Sequence, residues 1–594
     1  MHPDYYRVRI LADAARTLLL PQVLLLAVLR LTHVTPGIFL KILLHVASVP
    51  VISVLRFWYK SYANHKAAES LGAAPIPCIK GKWPGNLDIA LGLVRSLKQD
   101  YVLQYMSDLF DQYGSETLNT RILWNDQIIT ISESNIKFML TGAGFECFHK
   151  GPYWNERFER FLGNGIFNRD AEEWHAHRQI ARPWFAKDRI SDLNLFDRHA
   201  STTMAHVSKF SSLEEAFDVQ DLLARFTIDT AAEFLFGTAL NTLHAALPVA
   251  GKTKMGPKGS AIDDEFGTFA WAFEDVQVKI SQRTRIGSMW PVFELFKDKT
   301  TESNAIIHGW LKPIVEKALR EKAEAKTAGG RKEGEKTFLS HLADSTDDSD
   351  TIRFQVINML LAGRDTTSSL LTFVIYFLCM HPDVTKQLRS EIIGEYGRDG
   401  RPTIESMRSL KYLRAVLNET LRLFPPVPLN LRNSDDNPHA FPASPTGVTP
   451  KYYVPPRTQV LYSTLLVQRK RSLWGDDADV FKPSRWLDPA HIKLVTSNPF
   501  MFTPFHAGPR VCLGQNFAYN EMSFFLIRLL QKFSGFQLAS DAQPAESQPP
   551  ARWQGGKGRQ AYERTWPASS VTAYVKGGLW VRAEAASDDE SMSD

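Results

Sequence analysis

The stretch Phe505-His506-Ala507-Gly508-Pro509-Arg510-Val511-Cys512-Leu513-Gly514 places one cysteine where sulfur chemistry could occur. Gly508, Pro509 and Gly514 favour tight backbone turns, and an apolar run opening with Phe517-Ala518 follows. A helix N-terminus offers unpaired N–H groups that stabilise a thiolate, so this loop could present a sulfur anion to an iron. The plainer alternative is a buried structural cysteine ahead of a helix. Glu419-Thr420-Leu421-Arg422 sets opposite charges three apart, on one helix face. A surface pair of that kind contributes under about 1 kcal/mol. Flanked by Val416, Leu417, Leu423 and Phe424, it reads instead as a buried pair that must be satisfied. Ala362-Gly363-Arg364-Asp365-Thr366-Thr367 interrupts an apolar helical pattern. A mid-helix glycine costs about 1 kcal/mol relative to alanine, and a mid-helix threonine can bond back to a carbonyl. Together they suggest a functional distortion; the alternative is a tolerated polar turn on a buried helix. Trp174 and Arg178 fall at i and i+4 and could face one anion. His175 and His177, at i and i+2, point to different faces and do not form a metal pair.

Those groups require a helical frame. Residues Asp350 to Met380 read as one long helix, on the order of 45 Å at 1.5 Å per residue, enough to cross a domain of this size. From about residue 88 onward apolar residues recur at three and four, as in Phe217–Phe236. Short β-like runs appear at Gln459–Leu466 and Ala573–Val581, the latter after a Pro/Gln/Ser-rich insertion at 543–550. Polar interruptions at 251–259, 323–336 and 344–350 read as surface loops. Near the N-terminus, Leu18–Leu31 is apolar but holds Pro21 and Arg30, and Pro36–Tyr59 is longer but holds Lys41, His45 and Pro50. A spanning helix needs about 20 apolar residues. Trp58, Tyr59 and Lys60 resemble an interfacial anchor. No small-residue cleavage site follows, so the segment reads as a retained membrane anchor, with an amphipathic helix in the interface as the alternative. The expected organisation is a hydrophobic anchor over 1–60, a Pro/Gly-rich linker over 61–90, a catalytic domain over 91–586 and an acidic tail over 587–594. The expected fold class is mainly α with small β-sheets (α+β).

The chain has 594 residues, 44% hydrophobic and 22% charged, which excludes a disordered tail protein, a collagen-like fibre and a polytopic transporter. A formal charge of +5 is too mild to argue for nucleic acid as a partner. Four cysteines with no CxxC pair exclude a disulfide scaffold and a zinc ribbon; in a reducing compartment, an important cysteine acts alone. There is no GxxxxGK[ST] loop, and Gly163-Asn164-Gly165 lacks the third glycine of a dinucleotide fingerprint. Arg469, Lys470 and Arg471 read as a solvated basic turn, with an acidic partner surface as the alternative.

The loop around Cys512 matches FxxGxRxCxG at every fixed position and resembles the haem-binding signature of the cytochrome P450 superfamily. The resemblance extends in chain order over about residues 150–530. It includes Trp174–Arg178 (WxxxR), Ala362–Thr367 (AGxDTT), Glu419–Arg422 (ExxR), and Phe481-Lys482-Pro483-Ser484-Arg485-Trp486, where Ser484 stands in place of a frequent glutamate. It implies a cytochrome P450 fold carrying haem b, with Cys512 as the proximal thiolate ligand of the iron. Arg510 is then expected at a haem propionate, Phe505 beside the sulfur, and Gly514 at the signature's last fixed position. Trp174, Arg178 and Arg432, which lies beyond Pro425-Pro426-Val427-Pro428, are further propionate candidates. Glu419, Arg422 and Arg485 would form a network that fixes the haem-side core. Asp365 and Thr366 would deliver protons to oxygen, with Gly363 leaving room for it.

The activity implied is monooxygenation of a C–H bond. Electrons would come from NADPH through the flavins of a separate NADPH–cytochrome P450 reductase, because the chain shows no flavin or nicotinamide module. The implied location is the endoplasmic reticulum membrane, anchored in lipid with the catalytic domain facing the cytosol. The sequences around Gly363 and Cys512, with Phe517-Ala518-Tyr519-Asn520-Glu521, look like the fungal branch that hydroxylates n-alkanes and fatty acids. A related branch in wood-rotting fungi oxidises xenobiotics. Phe266, Phe269, Trp271, Phe273, Trp290, Phe293 and Phe296 mark the segment expected to roof a pocket for a hydrophobic small molecule. Two other readings remain: a haem-thiolate isomerase or dehydratase that needs no reductase, and a non-catalytic haem-binding membrane protein.

Overall fold

The computed structural model describes residues 2, 4–186, 190, 192–263, 266–327, 337–443 and 450–586; the acidic tail and residues 328–336 of one expected loop lie outside them. Two long helices open the chain, α1 (Tyr5–Leu31) and α2 (Ile38–Ser70), both long and apolar enough to cross a membrane. Lys41, His45 and Pro50 all lie inside α2, which continues through residues 61–70 of the expected linker.

The body is a helical assembly. Its framework here is α3 (Gly151–Leu162), α4 (Ala171–Ala181), α5 (Val219–Phe236), α6 (Gly267–Ile286), α7 (Ser349–Met380), α8 (Lys411–Leu423) and α9 (Gln515–Lys532). The axis of the fold is α7. The Asp348 side chain accepts from Asp350 N and caps its start. Nearly the whole circumference is apolar and buried, as an internal helix requires: Ile352, Val356, Ile357, Leu360, Leu371, Phe373 and Phe377 are 0% exposed. Pro382 follows its end and starts the next helix. Helix α5 lies along α7 and is capped by Asp218, which accepts from Gln220 N and Asp221 N; Gly237, left-handed at φ 76°, ends it.

A five-stranded sheet covers one end: β1 (Thr117–Asn119), β2 (Gln127–Thr130), β3 (Phe148–His149), β4 (Asn430–Ser434) and β5 (Gln459–Tyr462). The order is β1-β2-β5-β4-β3. Only β2–β5 is parallel, with Gln127 opposite Gln459; β5–β4 sets Asn430 against Tyr462, and β4–β3 sets Phe148 against Ser434.

Local chemistry overrides the sequence pattern in several places. The β-like run 459–466 is a strand only to Tyr462, because the Ser463 hydroxyl accepts from Leu466 N and starts a short helix. The run 573–581 divides into Ala573–Val575 and Trp580–Ala585, because Gly577 and Gly578 turn at φ 76° and 82°. The helix Thr301–Thr327 extends into the loop expected over 323–336, and Asp344 belongs to the helix Phe338–Ser345. The expected basic turn is largely internal: Arg469 donates to Tyr101 Oη at 2.7 Å, and Lys470 is tied to Glu116 and Glu133. Only Arg471 is exposed, and it pairs with Asp479.

Candidate active site

Cys512 sits between the turn Gly508–Arg510 and the first residue of α9. Its N–H donates to Phe505 O at 3.0 Å, which closes the loop into a fixed hook. Gly508 (φ 69°) can only be glycine: a Cβ there would lie 1.8 Å from Leu140 O. Gly514 is the N-cap of α9, and the Phe505 ring packs 5.2 Å from that of Tyr519 on the same helix. The Cys512 side chain is exposed. The packing around it pushes the thiol up, and the Gly514 N–H and nearby Arg178 offset that only in part. The other thiols are raised as well: burial pushes Cys379 well up without a cation beside it, and raises Cys78 and Cys147.

Basic side chains gather beside this hook. Arg510 Nη2 donates to Asp170 Oδ1 at 2.7 Å and to Arg169 O at 2.8 Å, and its guanidinium lies 4.4 Å over the buried Trp174 ring. Arg432 is buried on β4 and donates to Leu431 O at 2.8 Å. Lys150 donates to Asn430 Oδ1 at 2.7 Å, and His506 Nε2 lies 2.8 Å from Asn430 Nδ2. Burial, with Arg432 and Arg510 close by, holds Lys150 well below the usual lysine range. Burial first, then Arg432 and Lys150, depresses His506 to about 3. Burial brings Arg510 down to about 10 against the pull of Asp170. Asp170 is thus a carboxylate close to Lys150 and Arg510, and it already accepts from Lys150 N and Gly151 N. Arg432 Nε and His506 Nδ1 are buried without a hydrogen-bond partner. Buried donors without acceptors cost free energy, so this cradle fits a group bringing anionic oxygens, as the two propionates of a haem would. Arg178 stands slightly apart. Its Nη2 donates to Val511 O at 3.0 Å, within the cysteine hook, and it lies 5.6 Å over Trp174. It steadies the loop, shares the Trp174 ring with Arg510 and adds to the positive potential around it.

In α7, the Thr366 hydroxyl donates to Ala362 O at 2.6 Å, the back-bond expected of a mid-helix threonine. Helix α7 nevertheless continues unbroken. At Gly363 a Cβ would meet Ala231 of α5 at 3.0 Å. Its missing side chain lets two core helices approach. Asp365 is buried and fully engaged: Lys258 Nζ donates to Oδ2 at 2.7 Å, and Arg364 Nη1 to Oδ1 at 2.7 Å. Burial pushes its carboxyl up, but Lys258 and then Arg364 more than offset this and hold it below the usual range. Lys258 also donates to Gln277 Oε1 and Thr572 Oγ1. The loop 251–259 therefore turns inward at its end. Gly259 (φ 100°) permits the turn, since a Cβ there would lie 2.7 Å from Gln220 Nε2.

Lys258 is the main residue that sequence reading missed; a lysine in a Gly/Pro loop looks solvated. Lys258→Met leaves Asp365 with Arg364 as its cation and with the Gln277 amide. Breaking a buried pair costs about 3–5 kcal/mol, and the surviving Arg364 bond favours the lower figure. Thermal unfolding of variant and parent measures the loss.

Glu419, Arg422 and Arg485 are brought together. Arg422 forks onto Glu419 at 2.7 and 2.8 Å, and Arg485 Nε reaches Oε1 at 3.0 Å. Trp486 Nε1 adds a bond to Oε2 at 2.9 Å. Arg422 also donates to Gln468 O, Ala478 O and Val480 O, which ties α8 to the segment ahead of the cysteine hook.

The expected roof segment divides. Phe269 and Phe273 of α6 stack at 5.5 Å in the core with Phe161, and Trp290 is buried against Tyr6. Phe293 and Phe296 face outward, 63% and 96% exposed. One further donor set, Cys147 with Asp435 and His439, has its ligand atoms within 4.8 Å of one another but does not include Cys512; it is not the haem cradle.

Comparisons with known proteins agree with this geometry. The family model described as Cytochrome P450 matches residues 85–554. The chain is 34% identical to "Cytochrome P450 52E2" of Candida apicola over 79% of its length and 87% of the relative's. It is 37% identical to "Cytochrome P450 52A5" of Candida maltosa over 69% and 75%. It is 33% identical to "Cytochrome P450 monooxygenase g430" of a Fusarium species over 82% and 84%.

Proposed function

The chain belongs to the cytochrome P450 family, and on that premise we propose that this monooxygenase hydroxylates long-chain apolar substrates: alkanes, fatty acids or related xenobiotics. Electrons would come from NADPH through a separate flavoprotein reductase. The enzyme would be anchored in the endoplasmic reticulum with its catalytic body in the cytosol. The observation that carries the reading is the cysteine hook beside a cationic cradle with unpartnered buried donors, in a chain that also carries the Ala362–Thr367 segment on α7. The substrate class draws support from the fungal-branch resemblance of that segment and the hook. A second support is the apolar pair α1–α2, which would hold the body where lipid-soluble compounds concentrate.

When bound, the haem supplies an iron whose thiolate ligand pushes electron density toward cleavage of the O–O bond. The chain's own residues divide the remaining work. Cys512 would be the axial sulfur, set by its bond to Phe505 O and by the Gly514 N–H. Arg510, Arg432 and His506 would hold the propionates, relieving the unpartnered Arg432 Nε and His506 Nδ1. Thr366 keeps its proton on Ala362 O at 2.6 Å; turning that hydroxyl away from the helix would offer a donor to the reacting centre. Asp365 can take up and pass on a proton only by letting go of Lys258, so Lys258 is a positioning residue.

The test is a reconstituted assay with reductase and NADPH on a panel of alkanes, fatty acids and terpenoids, with products identified. Hydroxylated alkane or fatty acid is the expected product; turnover of terpenoids alone would overturn the substrate class.

A further inference from the structure

Helices α1 and α2 pack on each other as an antiparallel hairpin, and its two outer ends seat on the catalytic body. At the start of α1, the Tyr6 ring lies 4.6 Å from that of Trp290, and its hydroxyl donates to Glu294 O. Arg9 pairs with buried Glu156 at 2.7 Å, and Asp4 with Arg160 at 3.0 Å. At the far end of α2, Lys60 pairs with Asp126 at 3.3 Å, and Tyr453 donates to Asn64 Oδ1 at 3.2 Å. Chain start and catalytic body thus share one side.

What lies between rises free of the body. Residues 11–31 and 38–56 are mostly exposed, with Phe39 at 88%. At about 1.5 Å per residue each arm is roughly 30 Å long, the thickness of a bilayer's hydrocarbon core. The uncharged polar side chains inside this length are all hydrogen-bonded, as lipid demands. Gln22 Nε2 donates to His45 O and Ser48 Oγ; Thr17, Thr32 and Ser53 bond back to carbonyls of their own helices. Arg7, Arg9, Lys60 and Lys66 lie at the docked base and Arg16 and Arg56 in the turns of the arms next to it, against Arg30 and Lys41 near the tip. That asymmetry places the base on the cytosolic face.

We propose that α1 and α2 cross the membrane as a two-pass hairpin, with the N-terminus on the same face as the catalytic body and residues 32–37 on the opposite face. The inference rests on reading these helices as the membrane anchor.

The test uses the full-length enzyme in sealed microsomes. A glycosylation acceptor in a Gly/Ser spacer is inserted after Val34 or fused at the N-terminus. Retention in carbonate-washed membranes is measured first. Expected are retention, glycan on the tip acceptor and none at the N-terminus. Glycan at the N-terminus, or on neither site, would overturn the hairpin while leaving the anchor intact. Loss from washed membranes would overturn the anchor and the hairpin together. Thr35→Cys avoids any insertion. A membrane-impermeant maleimide is expected to add one label beyond the parent enzyme only once the vesicles are opened. Addition in sealed vesicles would overturn the proposal.

Discussion

Cys512→Ala is expected to lose the thiolate-type carbon-monoxide spectrum and to drop NADPH-supported product formation to background. The reason is chemical rather than structural. The side chain is exposed, and the bond that shapes the hook, Cys512 N to Phe505 O, belongs to the backbone and survives. The variant therefore folds, with a melting temperature close to that of parent protein measured without haem. The same substitution at Cys379 serves as the control. Burial holds that thiol far above the ordinary range, and no basic cradle faces it, so spectrum and turnover are expected to persist. The paired spectra of the two variants decide the assignment.

The second large effect is on stability. Glu419 is 0% exposed and holds Arg422, Arg485, Trp486 and Lys482 N with its two oxygens. Glu419→Ala strands two buried guanidinium groups, and losing one partner of a buried ionic network costs about 3–5 kcal/mol. Denaturant unfolding is expected to show that loss. The pH dependence has a definite sign. Burial raises the Glu419 carboxyl, but Arg422 and Arg485 more than offset it, so its folded-state value lies below the usual 4.5. Its contribution is therefore full above about pH 4.5 and disappears as pH falls through the lower, folded-state value. The Glu419→Ala protein should show correspondingly less acid-induced loss over that window.

Much of this was legible from the sequence because it is local. FxxGxRxCxG encodes one turn and one helix start, and Glu419 with Arg422 needs only a single helical turn. Helix α7 announces itself by 32 residues of helical pattern with an N-cap ahead and proline behind. What escaped depends on contacts between distant segments. Lys258 meets Asp365 across 107 residues of chain, and Lys150 reaches Asn430 across 280. Neither partner carries a local mark of the other. His506 lies inside the signature at a variable position, so its burial beside Arg432 had no residue-type signal. Ser463 shows the opposite failure: a β-like pattern ran on through 466, and one hydroxyl cap ended it at Tyr462. Aromatic residues near Phe266–Phe296 suggested a pocket lining, yet aromatic rings serve cores and exposed patches as readily, and here they divide between the two.

The central claim is that the Cys512 sulfur binds the haem iron. X-ray absorption at the iron edge of the purified full-length ferric enzyme tests it most directly. One sulfur scatterer at thiolate distance beside the porphyrin nitrogens is predicted; a first shell of nitrogen and oxygen alone would contradict it.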